Sequence, residues 1–123
     1  MYERHILGKK GEDVAVEYLK SKGYNILDRN FLCRQGEIDV IALDKNYVVF
    51  VEIKARTNTE YGLPSESVTK RKLEHLIKAA KYYLHVRNLE DVNVRIDAIE
   101  IYVANNRYYI NHLKQILWFD ICL

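Results

Sequence analysis

Residues 36–56 read GEIDVIALDKNYVVFVEIKAR, two runs of strand-forming residues separated by Asp44-Lys45-Asn46. Such a break between two apolar runs specifies a hairpin. Asp39, Glu52 and Lys54 nevertheless interrupt the runs where a sheet interior would make charge costly. A fold for this chain must pair the strands and also give those charges a use.

The turn sets the pairing. If Lys45-Asn46 is a two-residue loop, or Asp44 to Tyr47 a four-residue one, the numbers of paired residues sum to 91. Asp39 then faces Glu52, and Glu37 faces Lys54. With side chains alternating in period two, these four share one face, while Ile38, Val40, Val49, Val51 and Ile53 fill the other. A three-residue loop would mix charge into both faces.

Two carboxylates across a ladder repel unless one is protonated or a cation sits between them. The local charge of about −2 suits one hard divalent ion with oxygen ligands and retained waters, Mg²⁺ or Mn²⁺. Lys54 can lean over the same spot, placing a fixed cation beside a Lewis acid. The same spacing also fits a solvated sheet face on which Glu37 pairs with Lys54 and the other acids are hydrated.

Around this hairpin the pattern is α/β. Apolar or small residues recur at helical spacing from Ile6 to Lys22, and Gly23 ends that helix. Strands are expected at Tyr24–Cys33, Glu37–Leu43 and Tyr47–Lys54, joined by short turns as an antiparallel meander. A polar loop then runs to Pro64. Leu73, Leu76, Ile77, Ala80 and Leu84 line one face of a second helix, with Thr69 as N-cap and Val68 and Leu73 as a staple. Val94–Val103 and Tyr108–His112 form a hairpin around Asn105-Asn106. The order αβββαββ describes a central mixed sheet flanked by helices, with the second helix as the crossover to a strand parallel to one of the first three.

With 123 residues the chain is expected to be one domain, residues 1–123. Its start has no signal-peptide pattern and no apolar run is long enough to span a membrane, so a cytoplasmic protein without a membrane partner is expected. Cys33 and Cys122 are too isolated for a disulfide framework or a zinc site. The four histidines are scattered without ligand-like spacing, so a metal site here would use carboxylates. A formal net charge of +2 announces no global basic field, and any basic surface must be local. The apolar tail from Ile116 to Leu123 either packs on the core or joins a dimer interface.

One local basic surface is plain. Lys70, Arg71 and Lys72 fill the first turn of the second helix, where cations oppose the macrodipole. A bound phosphate would be met there by free N–H groups and side-chain charge together; a solvated basic turn fits the same residues. Lys72 lies nearest the buried stripe. Glu12 similarly sits at the edge of the first helix's apolar stripe, as an ordinary boundary residue or as one overhanging the sheet.

Glu12 in the first helix, GEID at 36–39 and VFVEIK ending at Lys54 resemble the PD-(D/E)xK nuclease superfamily. GKKGEDVAVEYL, RQGEIDVIA, VFVEIKAR and VTKRKLEHLIKAAKYYL more closely resemble the YraN-like family of bacterial proteins, related in pattern to archaeal-type Holliday junction resolvases. The likeness covers about residues 7 to 103, with Ile38 in place of the Pro that names the superfamily motif. It implies a restriction-endonuclease-like core and a Mg²⁺- or Mn²⁺-dependent DNA endonuclease, with structure-specific cutting of branched or junction DNA as one form of that activity. Asp39, Glu52 and the Ile53 carbonyl would ligate the metal. Lys54 would orient water and Glu12 would assist. Lys70, Arg71 and Lys72 would meet nucleic acid, and Glu37 and Asp97 are accessory candidates. Resolvases cut as dimers, which makes a homodimer a further expectation. The other class of function is a nuclease-like module that binds nucleic acid or a partner protein without cutting.

Overall fold

The computed structural model describes residues 7–56, 70–104 and 107–116. Seven elements follow in the order read from the sequence: α1 (Leu7–Ser21), β1 (Asn25–Cys33), β2 (Gly36–Asp44), β3 (Tyr47–Arg56), α2 (Lys70–Val86), β4 (Asn93–Ala104) and β5 (Arg107–Leu113). Thr69, Val68, Pro64, Asn105-Asn106, Cys122 and the tail beyond Ile116 lie outside the described residues. Among those described, no helix is long and apolar enough to cross a membrane.

The five strands form one sheet in the order β1-β2-β3-β4-β5. β1, β2 and β3 are an antiparallel meander, β4 runs parallel to β3, and β5 returns antiparallel to β4. The sheet is therefore mixed, and α2 is the crossover that lets β4 lie parallel to β3. Asp44 pairs with Tyr47 across the two-residue loop Lys45-Asn46, where Lys45 takes a φ of 56°. From there to Val40↔Val51 every pair sums to 91, the register expected from the turn.

Each helix covers one face. Ala15, Val16 and Leu19 of α1 bury Val40, Ala42, Val49, Val51, Ile99 and Ile101. Leu76, Ala79, Ala80, Tyr83 and Leu84 of α2 bury Ile38, Ile41, Val48, Phe50 and Ile96. Strands covered on both faces read as near-continuous apolar runs, which accounts for the appearance of β2 and β3.

Both helices stop by the same backbone device. Tyr24 N–H returns to Leu19 C=O and Gly23 N–H to Lys20 C=O, with Gly23 at a φ of 93°. Asn88, at a φ of 55°, does the same for α2, its N–H bonding His85 C=O and Leu89 N–H bonding Leu84 C=O. These are Schellman closures, which need a residue tolerant of the left-handed region.

Candidate functional site where β2 and β3 part

The β2–β3 ladder ends at Val40↔Val51. Beyond it the Ile53 N–H donates to Asp39 Oδ2 at 2.8 Å, so a side-chain carboxylate takes the place of a main-chain carbonyl. Asn30 in β1, at a φ of 53°, falls between the pairs Arg29↔Val40 and Phe31↔Ile38, beside Asp39. β2 turns about its own axis here. Val40 packs under α1 whereas Ile38, two residues earlier, packs under α2.

That turn corrects the expected face assignment. Ile38 does not share the face of Val40, Asp39 and Glu52 are not paired across the ladder, and Glu37 forms no rung with Lys54. Glu37 instead pairs with Leu32 of β1 and is exposed. A strict period of two holds only while the backbone stays regular, and the β1–β2 pair is irregular here, with the left-handed Asn30 of β1 level with Asp39.

Glu52 and Lys54 continue the α2-facing row of Val48 and Phe50 past the end of the ladder. Glu52 Oε2 lies 4.0 Å from Lys54 Nζ and 3.8 Å from Lys72 Nζ, the latter reaching in from the first turn of α2. Lys72 is thus brought to the site as its place on the helical stripe suggested. The neighbouring Lys54 ammonium chiefly holds Lys72 below the usual lysine value, with partial burial next, while Glu52 and Asp39 pull the other way. Lys70 and Arg71 are exposed at the same helix start and point away from this cluster.

Gly11 lets α1 close over the end of β3. A Cβ at Gly11 would meet the Ala55 Cβ at 2.9 Å, so the helix sits against the strand with no room for a side chain. This approach brings Glu12 near enough to act on Asp39. Burial pushes the Asp39 carboxyl up to about 7, and the charges of Glu52, Glu12 and Glu37 add to it, opposed by the Ile53 hydrogen bond. Arg29 of β1 lies 3.9 Å from Glu12 and 2.8 Å from Asp13, anchoring the start of α1 above the sheet.

Asp97 belongs elsewhere. It is fully buried on the α1 face, where Arg95 Nε and Nη2 donate to its two oxygens at 3.0 Å. The Gln115 N–H adds another bond at 3.0 Å, and His112 Nε2 lies 2.7 Å away. Arg95 also reaches Asp44 at 3.0 Å and the Tyr24 hydroxyl at 2.6 Å, and His112 Nδ1 meets the Tyr18 hydroxyl at 3.0 Å. The network ties β2, β4, β5 and α1 together on the opposite face from Glu52 and Lys54. Its position is that of a structural hub.

The sequence reading passed over Glu100. It is fully buried and pairs directly with Lys54 in the parallel β3–β4 ladder, on the same face. Its signal was present in IDAIEIYV, where a lone glutamate interrupts apolar residues as Glu52 does in VVFVEIK. Arg95 lies two residues from Asp97, but its other partners, Asp44 and Tyr24, and the Asp97 and Tyr18 partners of His112 are distant in sequence, so nothing local marked the network.

Residues 11–101 match the Uncharacterised protein family UPF0102. The chain belongs to that family. The matched span contains Glu12, Glu37, Asp39, Glu52, Lys54, Lys72, Asp97 and Glu100, so every residue of the cluster lies within the UPF0102 region. Similar UPF0102 proteins come from Persephonella marina, 48% identical over 87% of this chain and 91% of the relative. The protein from Clostridium perfringens strain 13 is 44% identical, over 88% and 90%. That of Carboxydothermus hydrogenoformans is 42% identical, over 94% and 98%.

In this UPF0102 chain no three His, Cys, Asp or Glu side chains converge closely enough to cage a metal among the described residues. Asp39 and Glu52 are the pair near the parted strands. A cage is not required for Mg²⁺, which keeps several waters and binds proteins through one or two carboxylates. Burial is the main cause of the raised Asp39 value, and the smaller push from Glu52, Glu12 and Glu37 is negative charge that a divalent cation beside Asp39 would relieve.

Proposed function

We propose that this protein is a metal-dependent endonuclease that hydrolyses phosphodiester bonds in DNA. The observation that carries the reading is the convergence of Asp39, Glu52, Lys54 and Lys72 where β2 and β3 separate, with Glu12 overhead. Asp39 and Glu52, helped by the Ile53 carbonyl, would hold Mg²⁺ or Mn²⁺. When bound, the ion supplies Lewis-acid stabilisation of charge on the phosphate.

The protein's own groups do the rest. The Ile53 N–H fixes the Asp39 carboxylate so that one oxygen is committed and the other is free to face the ion. Lys54 presents a fixed ammonium to the phosphate and orients the attacking water, and needs no reorganisation as charge develops. Lys72 adds a second cation on the α2 side. Glu12, on the α1 side, sits where it can accept a hydrogen bond from water. Lys70 and Arg71 meet the nucleic-acid backbone beyond the site. The reaction needs no covalent intermediate on the protein.

A second reading is a silent nuclease-like module that binds nucleic acid or a protein. It is favoured by one detail, the flanking of Glu52 Oε2 by two ammonium groups that already offset its charge. A panel of labelled linear and branched DNAs with Mg²⁺ or Mn²⁺ separates the two. The enzyme cuts at least one of them, and Lys54→Ala abolishes cutting while the protein stays folded. Cutting by Lys54→Ala at the wild-type rate, or binding without any cutting, would rule out the enzyme.

A further inference from the structure

The buried residues of α2, Leu76, Ala79, Ala80, Tyr83 and Leu84, lie on one side of the helix. At 3.6 residues per turn the opposite side carries Lys70, Arg71, Lys78 and Lys81, all exposed, with one acid, Glu74, among them. α2 holds five Lys or Arg against that single Glu, whereas the whole chain has a formal net charge of only +2. The rest of the protein is therefore net negative, and the excess of positive over negative charge lies on this helix.

These four side chains are uncommitted. Among the described residues they enter no ion pair, while Arg29, Lys54, Lys72, Arg87 and Arg95 all do. Even Glu74, one turn from both Lys70 and Lys78, holds neither. The stripe also has a direction. The first turn of α2 carries Lys72 on its other side, with Nζ 3.8 Å from Glu52 Oε2, so the stripe starts at the end of the helix next to the candidate site and leads away from it.

We infer that the outward face of α2, from Lys70 to Lys81, is a track for the phosphate backbone of duplex DNA leading to the Asp39–Glu52 site. This rests on the endonuclease reading and names the form of its substrate. From Lys70 to Lys81 the helix rises about 16 Å, the length of about five base pairs. A paired arm of that length must flank the scissile phosphate. A single strand is the poorer fit, because it calls for a groove lined with stacking aromatics. This face is convex, and Tyr82 is its one exposed aromatic among the described residues.

The test is the salt dependence of binding to a short labelled duplex of arbitrary sequence. The variant Lys78→Ala/Lys81→Ala is compared with wild type and with Lys20→Ala/Lys45→Ala, two exposed lysines off the track. Loss of two phosphate contacts lowers the slope of log K against log salt by about 2, and weakens binding alike for all duplex sequences. The control variant keeps the wild-type slope. An unchanged slope in Lys78→Ala/Lys81→Ala, an equal loss in the control, or preference for a single strand of the same length would overturn the track. Metal-dependent cutting by a wild type whose slope ignores Lys78 and Lys81 would leave the endonuclease standing without it. A wild type that neither binds nor cuts DNA would sink both.

Discussion

Ile53 donates its N–H to the Asp39 carboxylate at 2.8 Å, at the point where a continuing β2–β3 ladder would have used a main-chain carbonyl. The carboxylate is held by the backbone of the neighbouring strand, partly buried, and crowded by Glu52, Glu12 and Glu37. The parting of strands sets its orientation, and burial with the added negative charge makes its ionisation costly.

That cost has a pH signature. Asp39 titrates at about 7 in the folded chain against 3.8 ordinarily, so the folded state holds its proton more tightly than the unfolded state. Stability is therefore fully present below about pH 4, falls as pH rises toward 7 and is flat above. Without divalent ions, Asp39→Asn should flatten this limb and raise stability by about 1–3 kcal/mol at pH 8. Urea denaturation at several pH values checks it. A pH dependence identical in the variant would show that Asp39 carries no such cost.

The opposite limb belongs to Asp97. Burial alone would raise its carboxyl, but hydrogen bonds from His112, Arg95 and the Gln115 N–H outweigh that and hold it below the ordinary value. Its stabilisation is present above about pH 4 and is lost as pH falls. Removing the carboxylate in Asp97→Ala leaves Arg95 partly unpaired and should cost about 3 kcal/mol. The folded fraction should still bind metal as wild type does. Lost metal binding at unchanged stability would instead place Asp97 in the site.

Gly11 sets the height of Glu12 above the sheet. Gly11→Ala forces a Cβ to within 2.9 Å of Ala55 and should destabilise by about 1–2 kcal/mol, although alanine normally favours a helix. Adding Ala55→Gly removes the facing methyl and should restore most of the loss in the double variant. Equal stability of Gly11→Ala and wild type in denaturant titrations would mean that α1 rides higher than described.

Much of the fold was legible because its determinants are local. The two-residue turn at Lys45-Asn46 fixes the register of β2 and β3, and the αβββαββ order follows from periodicity and from Gly23. What was hidden depends on single backbone angles or on distant partners. Asn30 is an unremarkable residue in NILDRNFLC, yet its φ of 53° marks the place, opposite Asp39, where the faces of Val40 and Ile38 differ. Arg95, Asp97 and His112 become one network only when β4 and β5 are paired and α1 is laid over them. Glu100 meets Lys54 only through the parallel register of β3 and β4.

The claim on which the function turns is that a divalent ion binds between Asp39 and Glu52. Calorimetric titration of Mn²⁺ or Mg²⁺ into the protein tests it without relying on any DNA substrate. Wild type should bind one ion per chain, with release of a proton near pH 7, and Asp39→Asn and Glu52→Gln should each lose that binding while remaining folded. Equal binding by wild type and both variants, or none by wild type, would contradict the account.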